Sequence, residues 1–149
     1  MSYEALKSVR DILITDGDVL SLIPASKIRV GWSSTVVDFP LVVISIVSES
    51  DIGMLGYGTS EEGEKLHRVE VSIQIDILSR ASIKETLDIG DAITRALMKN
   101  GYSKSTEVDM WDDLLKAHRR MLRFKRTFIT VSYTHLRAHE TPEHLVCRL

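Results

Sequence analysis

The chain has 149 residues, of which 44% are hydrophobic and 27% charged, and these values fit one globular domain with a single core rather than a disordered chain. Its formal net charge of −2 provides no general attraction to nucleic acids or to anionic membranes. The single cysteine, Cys147, excludes a disulfide framework, and no apolar run is long enough to span a membrane, so we expect a protein of the reducing cytosol or of a particle assembled there.

The first part of the sequence predicts two helices and a short strand. Ser2 is suited to cap a helix with one apolar face, and the charged, amphipathic character of Met1–Arg10 predicts that this segment is not a signal peptide. The residues of the apolar face are Leu6, Val9, Ile12 and Leu13. A second, short helix is expected to begin at Asp18 and to stop before Pro24, and Lys27–Trp32 is expected to form a strand.

A buried strand and a long loop are predicted next. The run LVVISIVS after Pro40 is apolar or small at nearly every position, which is typical of a strand covered on both faces. The stretch Glu49–Leu66 holds four glycines and an acidic cluster, which indicates a long hairpin connection of the kind that is often functional. Because Met54, Leu55 and Tyr57 are costly to leave in water, we expect this loop to become ordered against a partner.

The clearest signal in the sequence is the alternation in RVEVSIQIDILS. Valine or isoleucine occupies every second position of Val69–Ile77, and the residues between them, including Gln74 and Asp76, are polar. This period of two predicts a strand with one face on the core and a polar opposite face. We therefore expect Ile73 and Ile75 to lie beneath the helix that follows.

The remaining elements are predicted to be that helix and two strands. Ser82 and Glu85 form a capping box, and Gly101 is well placed to end the helix. The residues expected on its inward face are Ile83, Leu87, Ile93 and Leu97. An irregular strand is expected over Ser105–Trp111 and the last strand over His118–Val131. The order ααβββαββ predicts a single α+β domain with a mostly antiparallel sheet and helices packed on one face.

Basic residues are concentrated in the stretch Lys116–Arg126, KAHRRMLRFKR, which contains no acidic residue. In a strand, Arg120 and Arg126 lie with the apolar residues, and Arg126 is expected to mark a bulge or the point where the strand leaves the core. The basic residues expected on the opposite face are Arg119, Arg123 and Lys125. Three interpretations of this face stay open: a solvated surface that protects a sheet edge, a docking surface for an acidic neighbour, and a binding surface for nucleic acid.

Two groups of acidic residues resemble metal ligands but have simpler explanations. The first group, in the predicted loop, consists of Glu61, Glu62 and Glu64. It lacks the regular spacing of a calcium-binding loop. The second group, which precedes His118, consists of Asp109, Asp112 and Asp113. It resembles a metal pair, but turn and cap positions explain these residues as well. We therefore expect no metal, no cofactor and no catalytic residue.

The stretch Ser132–Leu149, SYTHLRAHETPEHLVCRL, holds three of the five histidines and the only cysteine. Its potential zinc ligands are His135, His139, His144 and Cys147. Their spacing matches no usual ligand pair, and Pro142 interrupts the helix that would align them. The stretch resembles the conceptual translation of a sequencing adaptor, which implies a non-native segment. We therefore expect the domain to comprise residues 1–131, followed by a non-native segment 132–149, with the natural C-terminus missing.

Several segments carry a family resemblance. They are ALKSVRDIL, LSLIPASKIRVG, FPLVVISIVS, RVEVSIQIDILSRAS, IKETLDIGDAITRALM and HRRMLRFKRTFITV. From Met1 to about Val131, the sequence resembles the tail-completion, or tail-terminator, proteins of long-tailed phages. The resemblance implies a small α+β subunit that forms a ring, commonly a hexamer, which terminates the tail tube and joins it to the head connector without enzymatic activity. The family is defined by its shape, so no functional residue is carried over individually.

The expected function is that of a virion structural protein at the tail–head junction, assembled in the host cytoplasm. Its expected partners are further copies of the chain, the tail-tube protein and the head connector protein, with DNA only as passing cargo and no membrane. The residues expected at interfaces are Met54, Leu55, Tyr57, Arg119, Arg123 and Lys125. The alternative is a nucleic-acid-binding module that uses the basic strand Lys116–Arg126.

Overall fold

The computed structural model describes residues 2–34, 38–57 and 64–133. Within these ranges the chain forms three α-helices, a 3-10 turn at Ala25–Lys27 and five strands. The helices are α1 (Ser2–Thr15), α2 (Gly17–Leu22) and α3 (Ile83–Lys99), and the strands are β1 (Ile28–Val30), β2 (Leu41–Tyr57), β3 (Glu64–Ser79), β4 (Ser103–Asp112) and β5 (Ala117–Tyr133). The predicted order ααβββαββ is confirmed. No helix in the described ranges is both long and apolar enough to cross a membrane.

The strands form one mixed sheet in the order β1-β2-β3-β5-β4. All neighbouring strands are antiparallel except β1 and β2, which are parallel. The central strand β3 pairs with β2 on one side and with β5 on the other, so that Ile75 lies between Ile44 and Leu122. A single α+β domain with a mostly antiparallel sheet is therefore confirmed.

The main core lies between the helices and one face of the sheet. Val9 and Leu13 from α1 and Ile93 and Leu97 from α3 are fully buried there. The sheet contributes Val42, Ile44, Val71, Ile73, Ile75, Ile77, Leu122 and Phe124. Burial of each such side chain stabilises the fold by about 1.5–3 kcal/mol. The period of two in β3 thus marks the buried face of the central strand, as predicted.

The inward face of α3 differs from the prediction at its start. Its buried apolar residues are Ile89, Ala92, Ile93, Ala96 and Leu97. The expected inward residue Ile83 is 50% exposed because it belongs to the first turn, where the helix begins at the margin of the sheet. Ser82 caps the helix by accepting a hydrogen bond from the Glu85 backbone N–H at 3.2 Å, which is half of the predicted capping box. The other half is replaced by Ser79, whose hydroxyl accepts from the Ser82 N–H and donates to the Glu85 carboxylate. Because Ile83 is exposed, the start of α3 presents an apolar side chain next to β4.

The sheet face that points away from the helices, called here the far face, carries a second and smaller apolar cluster. Its buried members are Leu41, Val43, Leu78 and Ala117, with Phe39 and Leu115 packed against them. Arg80 covers this end of the sheet by stacking on Phe39, with 4.4 Å from the guanidinium carbon to the ring centroid. Leu41–Ile44 are therefore buried on both faces, as predicted for the run LVVISIVS, but the second half of the run is not, because Ile46 and Val47 are exposed.

The predicted loop Glu49–Leu66 is mostly not a loop. β2 continues to Tyr57 and β3 begins at Glu64, so that only residues 58–63, which lie outside the described ranges, separate the strands. The pairing shifts register three times, between Ile46 and Ser48, between Asp51 and Gly53, and between Met54 and Gly56. These bulges accommodate Gly53 and Gly56, and Gly53 adopts a φ of 139° that L side chains rarely take. Main-chain pairing thus prevails over a composition typical of loops.

The long strands extend beyond the core as a three-stranded ribbon. Val69 and Phe128, which are partly buried, are the outermost core contacts of β3 and β5. Beyond them lie Gly53–Tyr57 of β2, Glu64–Arg68 of β3 and Ile129–Tyr133 of β5, which are called here the arm. Five residues of strand correspond to about 17 Å. The domain thus carries a projection built from its own sheet.

Strand β5 is two residues longer at its C-terminal end than the prediction of His118–Val131. Ser132 and Tyr133 pair with Lys65 and Glu64 of β3. The bulge predicted at Arg126 is absent from the β3–β5 pairing, which runs without a register shift; the irregularity beside β5 lies in β4, between Lys104 and Thr106. The suggested zinc ligands of the C-terminal stretch, and Glu61 and Glu62 of the loop, lie outside the described residues.

Candidate functional site: the arm, a polar network and an open strand edge

The arm contains the predicted apolar interface residues. Met54 pairs with His67 and Tyr57 pairs with Lys65, and Leu55 lies at the bulge between them. At the base of the arm, Asp51 Oδ2 lies 3.1 Å from His67 Nδ1. The structure thus brings Met54, Leu55 and Tyr57 together on a paired strand rather than on a loop.

The strands of the arm and its base expose apolar side chains. Ile129 is 64% exposed and Ile52 is 42% exposed. An isolated exposed isoleucine needs no explanation, but two on a projecting ribbon provide apolar area for a contact. The arm is therefore a candidate interaction element.

A buried carboxylate organises the far face of the sheet. Asp76 is fully buried, and its Oδ1 accepts a hydrogen bond from Arg119 Nε at 2.9 Å. Its Oδ2 accepts a second hydrogen bond from Gln74 Nε2 at 2.9 Å. The prediction that Gln74 and Asp76 lie opposite the core face is correct, but Asp76 is not solvated. A buried carboxylate is tolerated because both of its oxygens are bonded and its charge is compensated.

The network extends from Asp76 of β3 to the neighbouring strand β5 and from there to β4. Arg119 also donates to Asp112 Oδ2 at 3.2 Å and lies 5.1 Å from the ring centroid of Trp32. Further along β5, Arg123 Nε donates to Gln74 Oε1 at 3.1 Å. The network therefore links β3, β4 and β5 and is covered in part by an aromatic ring.

This network changes the interpretation of the basic strand. The predicted facing of Arg119, Arg123 and Lys125 is correct, since all three lie on the far face, where they pair with Leu78, Gln74 and Ser72 of β3. Two of them, Arg119 and Arg123, bond to groups of the same chain. Lys125 is exposed and forms no ion pair within the described residues. The surface available to an acidic partner or to nucleic acid is thus smaller than the sequence indicated.

A second set of ion pairs lies at β4 on the helix side of the sheet. Arg120 contacts Asp109 and lies 2.6 Å from Glu107 Oε2, and Lys104 Nζ lies 3.0 Å from Glu107 Oε1. Burial opposes ionisation of Glu107, but the hydrogen bond from Lys104 and the charge of Arg120 lower its pKa. Burial also opposes the charge of Arg120, but the hydrogen bond to Asp109 and the charge of Glu107 raise the pKa of Arg120.

The suggested metal pair near His118 is explained by these contacts. Asp109 bonds to Arg120, Asp112 to Arg119 and Asp113 to Lys116. The His118 ring packs edge-on to Trp111, with 5.1 Å between the centroids. Among the described residues, no group of three or more His, Cys, Asp or Glu side chains is arranged to hold a metal ion. The carboxylates of this region therefore serve as partners for cations of the same chain.

The outer edge of β4 was not recognised from the sequence. Within the described residues β4 pairs only with β5, and Val108, Met110 and Trp111 are 38%, 39% and 53% exposed. A groove of about 290 Å³ separates the start of α3 from β4. It is lined by Ile83, Thr86, Asp109, Met110, Trp111, His118 and Arg119. The available signal was the segment VDMW, whose apolar residues fit a strand exposed on both faces.

The fold, but not the sequence, has a match among known proteins. No protein-family model and no curated protein matches the sequence. Among solved structures, the fold matches a chain described as "Virion of native gene transfer agent (GTA) particle", with a TM-score of 0.59 and 13% sequence identity. The match covers 87% of this chain and 98% of that chain. At this identity, the two chains share a fold.

Proposed function

We propose that this chain is a structural protein of a phage-like virion, which forms a ring at the tail–head junction, terminates the tail tube and joins it to the head connector. The observation that carries the proposal is the fold match over 98% of a chain from a gene transfer agent virion. Because the match covers that chain almost completely, it concerns the whole architecture rather than one common motif. The family resemblance of the sequence supports the finer role.

The surfaces of the domain suit assembly. A closed ring requires two different surfaces on each subunit, so that one subunit contacts the next head to tail. The arm and the edge of β4 are two such surfaces, and both carry exposed apolar side chains. We infer that the arm reaches a neighbouring subunit or the tail tube, whose surface supplies the burial that the arm lacks.

The proposal assigns the protein a role through shape and contact rather than through chemistry. The acidic side chains of β4 form ion pairs with cations of the same chain, as structural carboxylates do. No cofactor enters the proposal. The other subunits of the ring, the tail-tube protein and the head connector are the proposed partners, and DNA passes through the ring as cargo.

The test is the assembly state of the purified chain. Sedimentation velocity and negative-stain electron microscopy, each with and without tail-tube protein, are expected to show a closed ring, most simply of six subunits, that binds the end of the tube. A protein that remains monomeric in both conditions contradicts the proposal. Strongly salt-dependent DNA binding by that monomer would instead support the nucleic-acid-binding alternative.

A further inference from the structure

From Thr106 to Asp112, the edge of β4 contains no proline and no register shift, two of the features that usually prevent one sheet from pairing with another. Exposed edges are commonly protected by charged side chains, proline or bulges. The charged side chains of β4 are held back by their own chain, because Glu107 and Asp109 bond to Arg120, and Asp112 bonds to Arg119. The irregularity near Ser105 leaves the stretch from Thr106 to Asp112 in regular register with β5. The main-chain groups of that stretch are therefore accessible to another strand.

The side chains around this edge favour an apolar partner on both faces of the sheet. Val108 and Met110 lie on the far face, since they pair with Met121 and Arg119. Trp111 lies on the helix side, across the groove from the half-exposed Ile83. A strand added beside β4 would cover both sets of side chains while its main chain completed the hydrogen bonds of the edge.

The same chain presents a second open edge on the opposite side of the sheet. Among the described residues, β1 pairs with Val42–Ile44, and no other strand of the sheet lies on the outer side of β2. Near this edge Ile46, Val47 and Ile52 are 37%, 41% and 42% exposed. Each molecule thus has one open edge at each side of its sheet, and both edges carry apolar side chains.

We propose that the β4 edge binds a second copy of this chain by strand pairing, with the outer edge of β2 of that copy as its partner. The inference rests on the proposed ring and specifies its subunit contact. Because the two edges differ and lie on opposite sides of the sheet, their pairing is head to tail, and it continues from copy to copy rather than ending at a dimer; a ring forms where the rotation between copies closes. The sheet then continues from one subunit into the next.

The first test places charge at the edge without altering the core. Val108→Lys combined with Met110→Lys is expected to weaken self-association by about a hundredfold, because two buried lysines at a strand interface are costly. Met98→Lys is the matched control, since Met98 is 56% exposed on α3 and lies away from the edge. Sedimentation velocity measures assembly, and the urea midpoint of each variant reports whether the monomer still folds.

The second test uses cross-linking to identify the edge that pairs with β4 in the assembly. In a Cys147→Ser background, chains with Val108→Cys are mixed with chains carrying Val47→Cys and treated with a short bismaleimide. Head-to-tail pairing predicts a cross-linked dimer in the mixture and none with either chain alone. A cross-link formed by Val108→Cys chains alone indicates symmetric β4–β4 pairing and overturns the proposal.

The outcomes separate the edge contact from the proposed function. If rings persist in the lysine variant, the proposed edge contact is wrong although the ring is correct. The same conclusion follows if rings form but the mixed chains give no cross-link. A wild-type chain that never assembles contradicts the ring and, with it, the second copy as occupant of the edge. Cross-linking of Val108→Cys to tail-tube protein instead of to this chain assigns the edge to that partner and also overturns the inference.

Discussion

Replacing Arg119 with methionine is expected to destabilise the domain strongly, because Asp76 depends on it. The Asp76 carboxylate is fully buried, and Arg119 is the cation that contacts it, at 2.9 Å. Methionine keeps much of the aliphatic volume but leaves a buried charge without compensation. Such a loss costs about 3–5 kcal/mol, which is a large share of the stability of a domain of this size. Urea unfolding followed by circular dichroism measures the change in free energy.

A double-mutant cycle distinguishes this pairing from a general loss of packing. Asp76→Asn removes the charge but keeps the shape, so Arg119→Met is expected to cost much less when Asp76→Asn is already present. Lys125→Met is the control on the same strand and face, and its effect is expected to stay within about 0.5 kcal/mol because Lys125 is exposed. If Arg119→Met costs under about 1 kcal/mol, or if the two changes are additive, the network does not stabilise the fold as argued.

Four further predictions concern the core, acid stability, docking and the C-terminal stretch. Ile75→Ala is expected to lower the unfolding free energy by about 2–5 kcal/mol in urea unfolding, because Ile75 is fully buried. Gln74→Ala is expected to lower it by about 1–2 kcal/mol, because it removes hydrogen bonds to Asp76 and Arg123. Equal costs would mean that the burial of β3 is misjudged. Because the pKa of Glu107 in the fold lies below its ordinary 4.5, the stabilisation that its charge provides is complete above about pH 4.5 and is lost as the pH falls through the lowered pKa. Glu107→Gln should therefore make the free energy of unfolding less dependent on pH in the acid range. An unchanged pH dependence would contradict this role. Lys125→Glu should block tail joining in a particle-assembly assay while leaving the monomer folded, whereas fully joined particles would remove Lys125 from the docking surface. Ending the chain after Tyr133 keeps Ser132 and Tyr133, which pair with β3, and removes the rest of the predicted non-native segment 132–149. The unfolding free energy should then stay unchanged within about 0.5 kcal/mol, and a loss of several kcal/mol would show that residues 134–149 belong to the fold.

The sequence predicted those parts of the fold in which a side-chain pattern follows a buried surface. The alternation in β3 is such a pattern, because a strand with one face on the core places every second residue there. The arm was missed for the opposite reason: its strands are held by main-chain pairing, which does not depend on glycine-rich or acidic composition. Where bulges absorb Gly53 and Gly56, the sequence resembles a loop although the backbone is paired.

The candidate site was predicted less completely because ion pairs join residues that are distant in the sequence. Arg119 and Asp76 are 43 positions apart, and the sequence shows their charges but not their contact. A stretch of arginines therefore resembles a free basic surface until the fold places a carboxylate, an amide or, for Arg126, an aromatic ring beside each one. The open edge of β4 was missed because edge position is a property of strand order rather than of any single strand.

The unbroken pairing of β3 with β5 has a mechanical consequence. The two strands keep one register from Ser79 and His118, within the domain, to Glu64 and Tyr133, at the end of the arm, so the ladder contains no hinge at which the arm could swing. A load applied to the arm is therefore carried along these strands into the domain rather than absorbed by bending at a joint. In a ring, the twist of this stiff ribbon would fix the angle between successive subunits, and that angle would set how many subunits complete the circle.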